Sequence, residues 1–357
     1  MTSNAIGLGG ERSTPKEQVI GDARFDWSVI AVSSWLLGGA YLDAWAHNHI
    51  ALETFFTPWH AVLYSGLLAV VAFLVGTFVR NRLRGYSPRQ AMPAGYELSL
   101  LGAILFIFGG IGDMLWHILF GIELNIDAAL SPTHVTLAVC LAVIVAGPFR
   151  AFWQRSSTKR PSFPASGKAE SKRSFLVLLP MLISLAFTLS AITLISQFAS
   201  PFVFTWPSVP QQLAFGNQAL AVVSIVLQTI ILMGLVLLAM RRWQLPFGSL
   251  TLVLTLNILL LSFMQDHYLM ILVAAITGFT ADILIWRWQP SAKQPDALRL
   301  FAFVVPTLFY LLYFLALLLT TGVNWSIHLW LGSAVVAGIA GWLVSYLVVP
   351  PIIPEER

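Results

Sequence analysis

Two stretches decide how this chain is read: GGAYLDAWAHNHIALETFFTPWH, residues 38–60, and GGIGDMLWHILFGIELNIDAALSPTH, residues 109–134. Aligned, they match in their polar residues: Asp43 with Asp113, His47 with His117, Glu53 with Glu123. After a slightly longer second loop, Pro58 matches Pro132 and His60 matches His134. Each copy reads Asp-x3-His-x5-Glu, a short gap, then Ser/Thr-Pro-x-His. The pattern predicts one membrane hairpin written twice. Ionisable groups set inside apolar sequence need a function, because they are costly near lipid.

The surrounding chain is apolar enough to make that setting a membrane. Of its 357 residues, 57% are hydrophobic and 10% charged, a balance that excludes an ordinary soluble domain. A spanning helix needs about 20 mostly apolar residues, and the chain offers about ten such stretches. The fold class expected is therefore all-α, a polytopic integral membrane helical bundle with a tandem-duplicated N-terminal hairpin. Cys140 has no partner, so no internal disulfide forms. The net charge of +4 comes from Lys and Arg in short loops beside spans, not from a basic face, which argues against nucleic acid as a partner.

Composition shifts mark the organisation. Residues 1–26 read as a cytoplasmic tail without a cleavable signal. Residues 27–150 hold four spans, with the first opening at Trp27. Residues 151–173, rich in Lys, Arg, Ser and Pro, read as a flexible basic linker. Residues 174–349 hold six spans, and 350–357 form a short tail. The aromatic and proline-rich loop 198–215 reads as an interfacial flap. The Lys and Arg runs all fall on one side of a ten-span topology. By the positive-inside rule that side is cytoplasmic and carries both termini, as in a bacterial-type plasma membrane.

Histidine was not used to set that orientation, yet all seven histidines fall at the opposite, extracytoplasmic ends. Residues four apart share a helix face, so Asp43 with His47, and Asp113 with His117, point together from the last turns of their spans. Thr57-Pro58 and Ser131-Pro132 read as an N-cap followed by proline at the first helical position. That places His60 and His134 in the opening turns of the next spans. The metal ligands expected are Asp43, His47 and His60, with Asp113, His117 and His134, as two mononuclear sites or one binuclear site. Mixed imidazole and carboxylate ligation suits copper, zinc or non-haem iron. Glu53 and Glu123 are the candidate catalytic bases, or orienting partners of the ligands. His49 reads as a loop residue or an orienting partner of the ligands, Asp266 as a turn residue that can stand near them, and His267 and His328 as candidates to reach the site as an extra ligand or proton carrier. Asp282 is expected to pair with Arg287, the alternative being one station in a proton path. Gln228 and Asn257 are expected to bond between helices.

The spacing Asp43-x3-His47-x12-His60 resembles the copper-binding pattern in the C subunit of the copper-dependent membrane monooxygenases, the particulate methane and ammonia monooxygenase family. That subunit also carries a related Asn-x3-His…His set. Asp113, His117 and His134 are similar to it, with Asp for Asn and a longer gap. The resemblance spans about residues 38–134 and lies in spacing, not in the helix sequences. It implies copper, over iron or zinc, at the first trio, with the second trio a further candidate. Three functions are expected in order: a metal-dependent membrane oxidoreductase acting on a small or lipophilic substrate, with further subunits or an electron donor; a non-catalytic metal-binding or assembly subunit; and a metal-ion or proton transporter.

Overall fold

The structure, a computed structural model, describes residues 18–50, 54–123, 125–158, 168–209 and 217–351. It is an all-α polytopic membrane bundle, with no strand among the described residues. Nine of the described helices are long and apolar enough to cross a membrane, and a tenth apolar helix, Ser249–Gln265, is 17 residues long.

The front part is built from α1 (Ala23–His49), α2 (Pro58–Leu83), α3 (Glu97–Phe120), the short α4 (Asn125–Leu130) and α5 (Pro132–Val145). A break at Ala146 separates α5 from α6 (Gly147–Thr158), and the two together make one spanning unit. The rear part comprises α7 (Lys168–Ile195), α8 (Asn217–Arg242), α9 (Ser249–Gln265), α10 (Leu269–Trp288), α11 (Pro295–Thr320) and α12 (Ile327–Val348). The Lys and Arg runs and the histidines occupy opposite ends of these helices, as the sequence pattern requires.

Helix α1 is the seam between the parts. It packs on α2 and α5 in front and on α7 and α9 behind. The α1–α2 approach depends on glycine. A Cβ on Gly39 would lie 2.7 Å from the Leu63 Cα, and one on Gly66 would lie 2.8 Å from the Leu36 Cα. Removing two side chains lets the backbones touch, the usual device where helices pack in lipid.

Two boundaries differ from the sequence reading. Helix α1 begins at Ala23, four residues before Trp27, because Asp22 caps it by accepting the Phe25 N–H at 2.8 Å. The first turn then buries Asp26, whose carboxylate takes two hydrogen bonds from Arg155 and one from Tyr96. Arg155 belongs to the stretch expected as a flexible linker. Its described beginning is helical and pinned to α1 and α3 by this ion pair; residues 159–167 lie outside the described residues.

The loop after α7 also differs. Residues 198–209 are packed inward instead of lying at the bundle surface. Phe202 is buried against Phe309, Tyr310 and Tyr313, and the Tyr313 hydroxyl donates to the Pro201 carbonyl at 2.8 Å. Asn324 donates from its backbone to Pro207 O at 2.7 Å and from its side chain to Ser208 O at 2.8 Å. Residues 210–215 of that expected flap lie outside the described residues.

Asp282 does not pair with Arg287. Its buried carboxylate accepts the Leu250 and Thr251 N–H groups, each at 3.0 Å, and the Thr251 hydroxyl at 2.6 Å. It supplies the side-chain cap that Gly248, at the start of α9, lacks. Gln228 and Asn257 bond between helices as expected. Gln228 donates to Ser196 Oγ and Ala199 O, each at 3.0 Å, and Asn257 Oδ1 accepts from Thr193.

Candidate metal centre

The local chemistry of each hairpin delivers its three candidate ligands in the same way. Thr57 accepts the His60 N–H at 3.2 Å, and Ser131 accepts the His134 N–H at 3.3 Å. The following prolines, Pro58 and Pro132, occupy the first helical positions, where an N–H has no partner to lose. Each histidine is thereby fixed in an opening turn, facing the last turns of the preceding long helix. Among the described residues, Asp43, His47 and His60 form one group with mutually close ligand atoms. Asp113, His117 and His134 form the other.

In the first trio, Asp43 Oδ1 lies 3.2 Å from His60 Nε2, and Asp43 Oδ2 lies 3.8 Å from His47 Nε2. In the second, Asp113 Oδ1 lies 3.3 Å from His134 Nε2, and Oδ2 lies 3.6 Å from His117 Nε2. The second trio is the more deeply buried at its core, with Asp113 and His117 side chains each 2% exposed. The trios adjoin each other. Ring centroids of His47 and His134 stand 6.2 Å apart, those of His117 and His134 5.4 Å, and those of His47 and His60 6.3 Å.

The outer nitrogen of three of the four rings is already committed. His60 Nδ1 is bonded to the Phe55 carbonyl, and His134 Nδ1 to the Ala128 carbonyl at 2.6 Å. His117 Nδ1 faces Gly121 O at 3.3 Å and Glu123 Oε2 at 3.2 Å. Carbonyl and carboxylate oxygens only accept, so each Nδ1 carries the proton and each Nε2 presents a lone pair. Those nitrogens lie 3.2–3.6 Å from carboxylate oxygens, which are also acceptors. Asp43 Oδ1, His47 Nε2, Asp113 Oδ1 and His117 Nε2 are buried without a hydrogen-bond partner. Facing acceptors in a buried site repel unless a cation lies between them. Protonating one ring in each trio would pair His60 with Asp43 and His134 with Asp113 but would leave the buried His47 Nε2 and His117 Nε2 without a partner. A metal ion satisfies both sets at once. Donors about 2.0–2.1 Å from a tetrahedral ion stand about 3.3–3.4 Å from one another, close to the spacings found.

Glu123 has a defined place. Gly121 ends α3 at a φ of +85°, a conformation that favours glycine. The turn brings Glu123 back, so that one oxygen accepts the Trp116 indole N–H and the other faces His117 Nδ1. That contact is not a hydrogen bond, but it sets Glu123 beside the trio instead of within it, where a carboxylate can orient a candidate histidine ligand. Its partner in the alignment, Glu53, lies outside the described residues.

The outlying residues do not enter either trio. His49 turns toward the rear part and bonds Asp266 through Nε2 at 2.8 Å, while its ring stacks on Trp45. That hydrogen bond from His49, aided by one from the Tyr268 hydroxyl, holds the Asp266 carboxyl below the usual carboxylate range. His267, beside it, is held below the usual imidazole range by burial. His328 is exposed in the first turn of α12. Sequence reasoning missed Phe55, Ala128 and Trp116, whose roles rest on backbone carbonyls and one indole N–H.

A cavity of about 410 Å³ opens beside the trios, with His47, His134 and Glu123 in its wall. Phe198, Val203 and Phe204, from the loop after α7, form part of the opposite side. No family model matches the chain, and neither a curated protein nor a solved structure matches it.

Proposed function

We propose that this membrane protein binds two transition-metal ions through Asp43, His47 and His60 and through Asp113, His117 and His134, and that it is an oxidoreductase. The single observation that carries the metal reading is the set of buried acceptors facing one another in both trios. The apolar cavity against His47 and His134 supports catalysis over storage, since a store needs no room for an organic molecule. Copper is the ion favoured, on the spacing Asp43-x3-His47-x12-His60 and its likeness to the copper monooxygenase pattern. Such an ion supplies one-electron chemistry beside the cavity. His60, His117 and His134 keep fixed tautomers toward it, and Glu123 orients His117 and offers a proton acceptor at the cavity wall. The Lys- and Arg-rich end faces the cytoplasm and the trios face the extracytoplasmic side.

Elemental analysis of detergent-purified protein tests this, with paramagnetic resonance to identify the ion and oxygen consumption with an artificial reductant to test turnover. Stoichiometric copper and reductant-dependent consumption are expected. Absence of any transition metal after growth with copper, iron and zinc, or as much metal in His60→Ala and His134→Ala as in wild type, overturns the reading.

A further inference from the structure

The cavity beside the trios is polar at one end and apolar along its depth. At the metal end, Asn48, Gln197 and Gln265 join His47, Glu123 and His134. Away from it the wall becomes Ala40, Leu63, Phe106, Leu137 and Leu141, with Leu194 closing the rear side. Ala40 lies seven residues back along α1 from His47, and Leu141 seven residues along α5 from His134. At about 1.5 Å per residue, both walls run about 10 Å from the ligands toward the middle of the bundle. The cavity is thus elongated, with its polar groups gathered at one end. An engineered cavity of about 150 Å³ holds benzene, so about 410 Å³ has room for up to roughly sixteen heavy atoms. A one-carbon gas would leave most of that volume empty.

We infer that this cavity is the binding pocket for a single-chain amphiphile of roughly ten to sixteen non-hydrogen atoms, its oxygen-bearing head against His47, Glu123 and His134 and its chain along α1 and α5. The inference rests on the metal reading only in naming the head-group end as the reacting end. Buried apolar walls bind the chain by the ordinary hydrophobic gain, and the polar edge with Asn48, Gln197 and Gln265 favours a molecule with a head over one without. Small side chains at Ala40, Ala44 and Ala138 make the room. Their replacement by larger ones fills the pocket without altering a ligand.

The test uses full-length protein in lipid nanodiscs, with 1-decanol as probe, decane as the headless control, and Ala40→Phe and Ala138→Phe as pocket-filling variants. Binding is read by calorimetry, metal content by elemental analysis, and folding by thermal unfolding. Saturable 1-decanol binding, at least tenfold weaker decane binding, and at least tenfold weaker 1-decanol binding in whichever variant keeps wild-type metal content are expected. No saturable binding to the wild type, or undiminished binding to both folded variants, overturns the inference. So does one phospholipid per chain retained by wild type and lost from the variants, which would make the occupant a bilayer lipid. Saturable 1-decanol binding by a protein that carries no metal would sink the metal reading and leave the pocket standing.

Discussion

His47, from the first hairpin, and His134, from the second, face each other with 6.2 Å between ring centroids. Both also line the cavity. The two trios are therefore neighbours in one pocket, each with its own carboxylate and its own pair of imidazoles. Two ions per chain are expected. His60→Ala and His134→Ala each remove one ligand from a different trio, so each is expected to retain about one ion and the double variant none. Metal-to-protein ratios decide this. Loss of both ions in either single variant would mean that the trios share a single centre.

Glu123 acts on one trio alone, through His117 Nδ1 at 3.2 Å. Glu123→Gln keeps the shape but weakens that acceptor. Removal of such an orienting partner costs about 10–100-fold in metal affinity. The loss is expected at the Asp113 site only, seen as one weakened and one unchanged phase in a chelator competition. Uniform weakening of both ions would contradict the assignment.

Asp282 tests the fold separately from the metal. Its carboxylate satisfies two backbone N–H groups at the start of α9. Asp282→Ala leaves buried donors without partners, at a cost of about 1–3 kcal/mol each. A lower unfolding temperature with unchanged metal content is expected. A variant that unfolds like wild type but loses turnover would instead return Asp282 to a proton path.

How much of this was readable beforehand follows from which contacts are local. The spans, the shared face of Asp43 and His47, and the capped turns that present His60 and His134 all depend on residues within a few positions, and the structure has them as expected. The partner of His49 could not be read from its neighbours, because Asp266 lies 217 residues away and belongs to the rear part. The buried Asp26–Arg155 pair was hidden for the same reason, each residue falling in a segment that reads as polar tail or linker. Asp282 and Arg287 are five apart, which on a helix sets them on different faces; the true partner is the end of another helix. Glu123 was recognised as a partner or a base, but choosing between them required the turn at Gly121, whose direction no spacing reveals.

The facing acceptors give the last prediction its unusual sign. Asp113 Oδ1 stands 3.3 Å from His134 Nε2 with no proton aligned between them. With His134 Nδ1 bonded to the Ala128 carbonyl, His134 Nε2 and Asp113 Oδ1 both offer lone pairs, and the buried carboxylate is uncompensated without metal. Asp113→Asn replaces one oxygen with an amide that donates to His134 Nε2. It also removes the negative charge that would bind the ion. The metal-free protein is therefore expected to become more stable, by about 1–3 kcal/mol, while metal affinity at that site falls. Thermal unfolding of chelator-treated wild type and variant at pH 8, alongside metal titrations of both, separates the two effects. If the variant is less stable than wild type without metal, then Asp113 and His134 form an ordinary hydrogen-bonded pair, and the trio does not need an ion to exist.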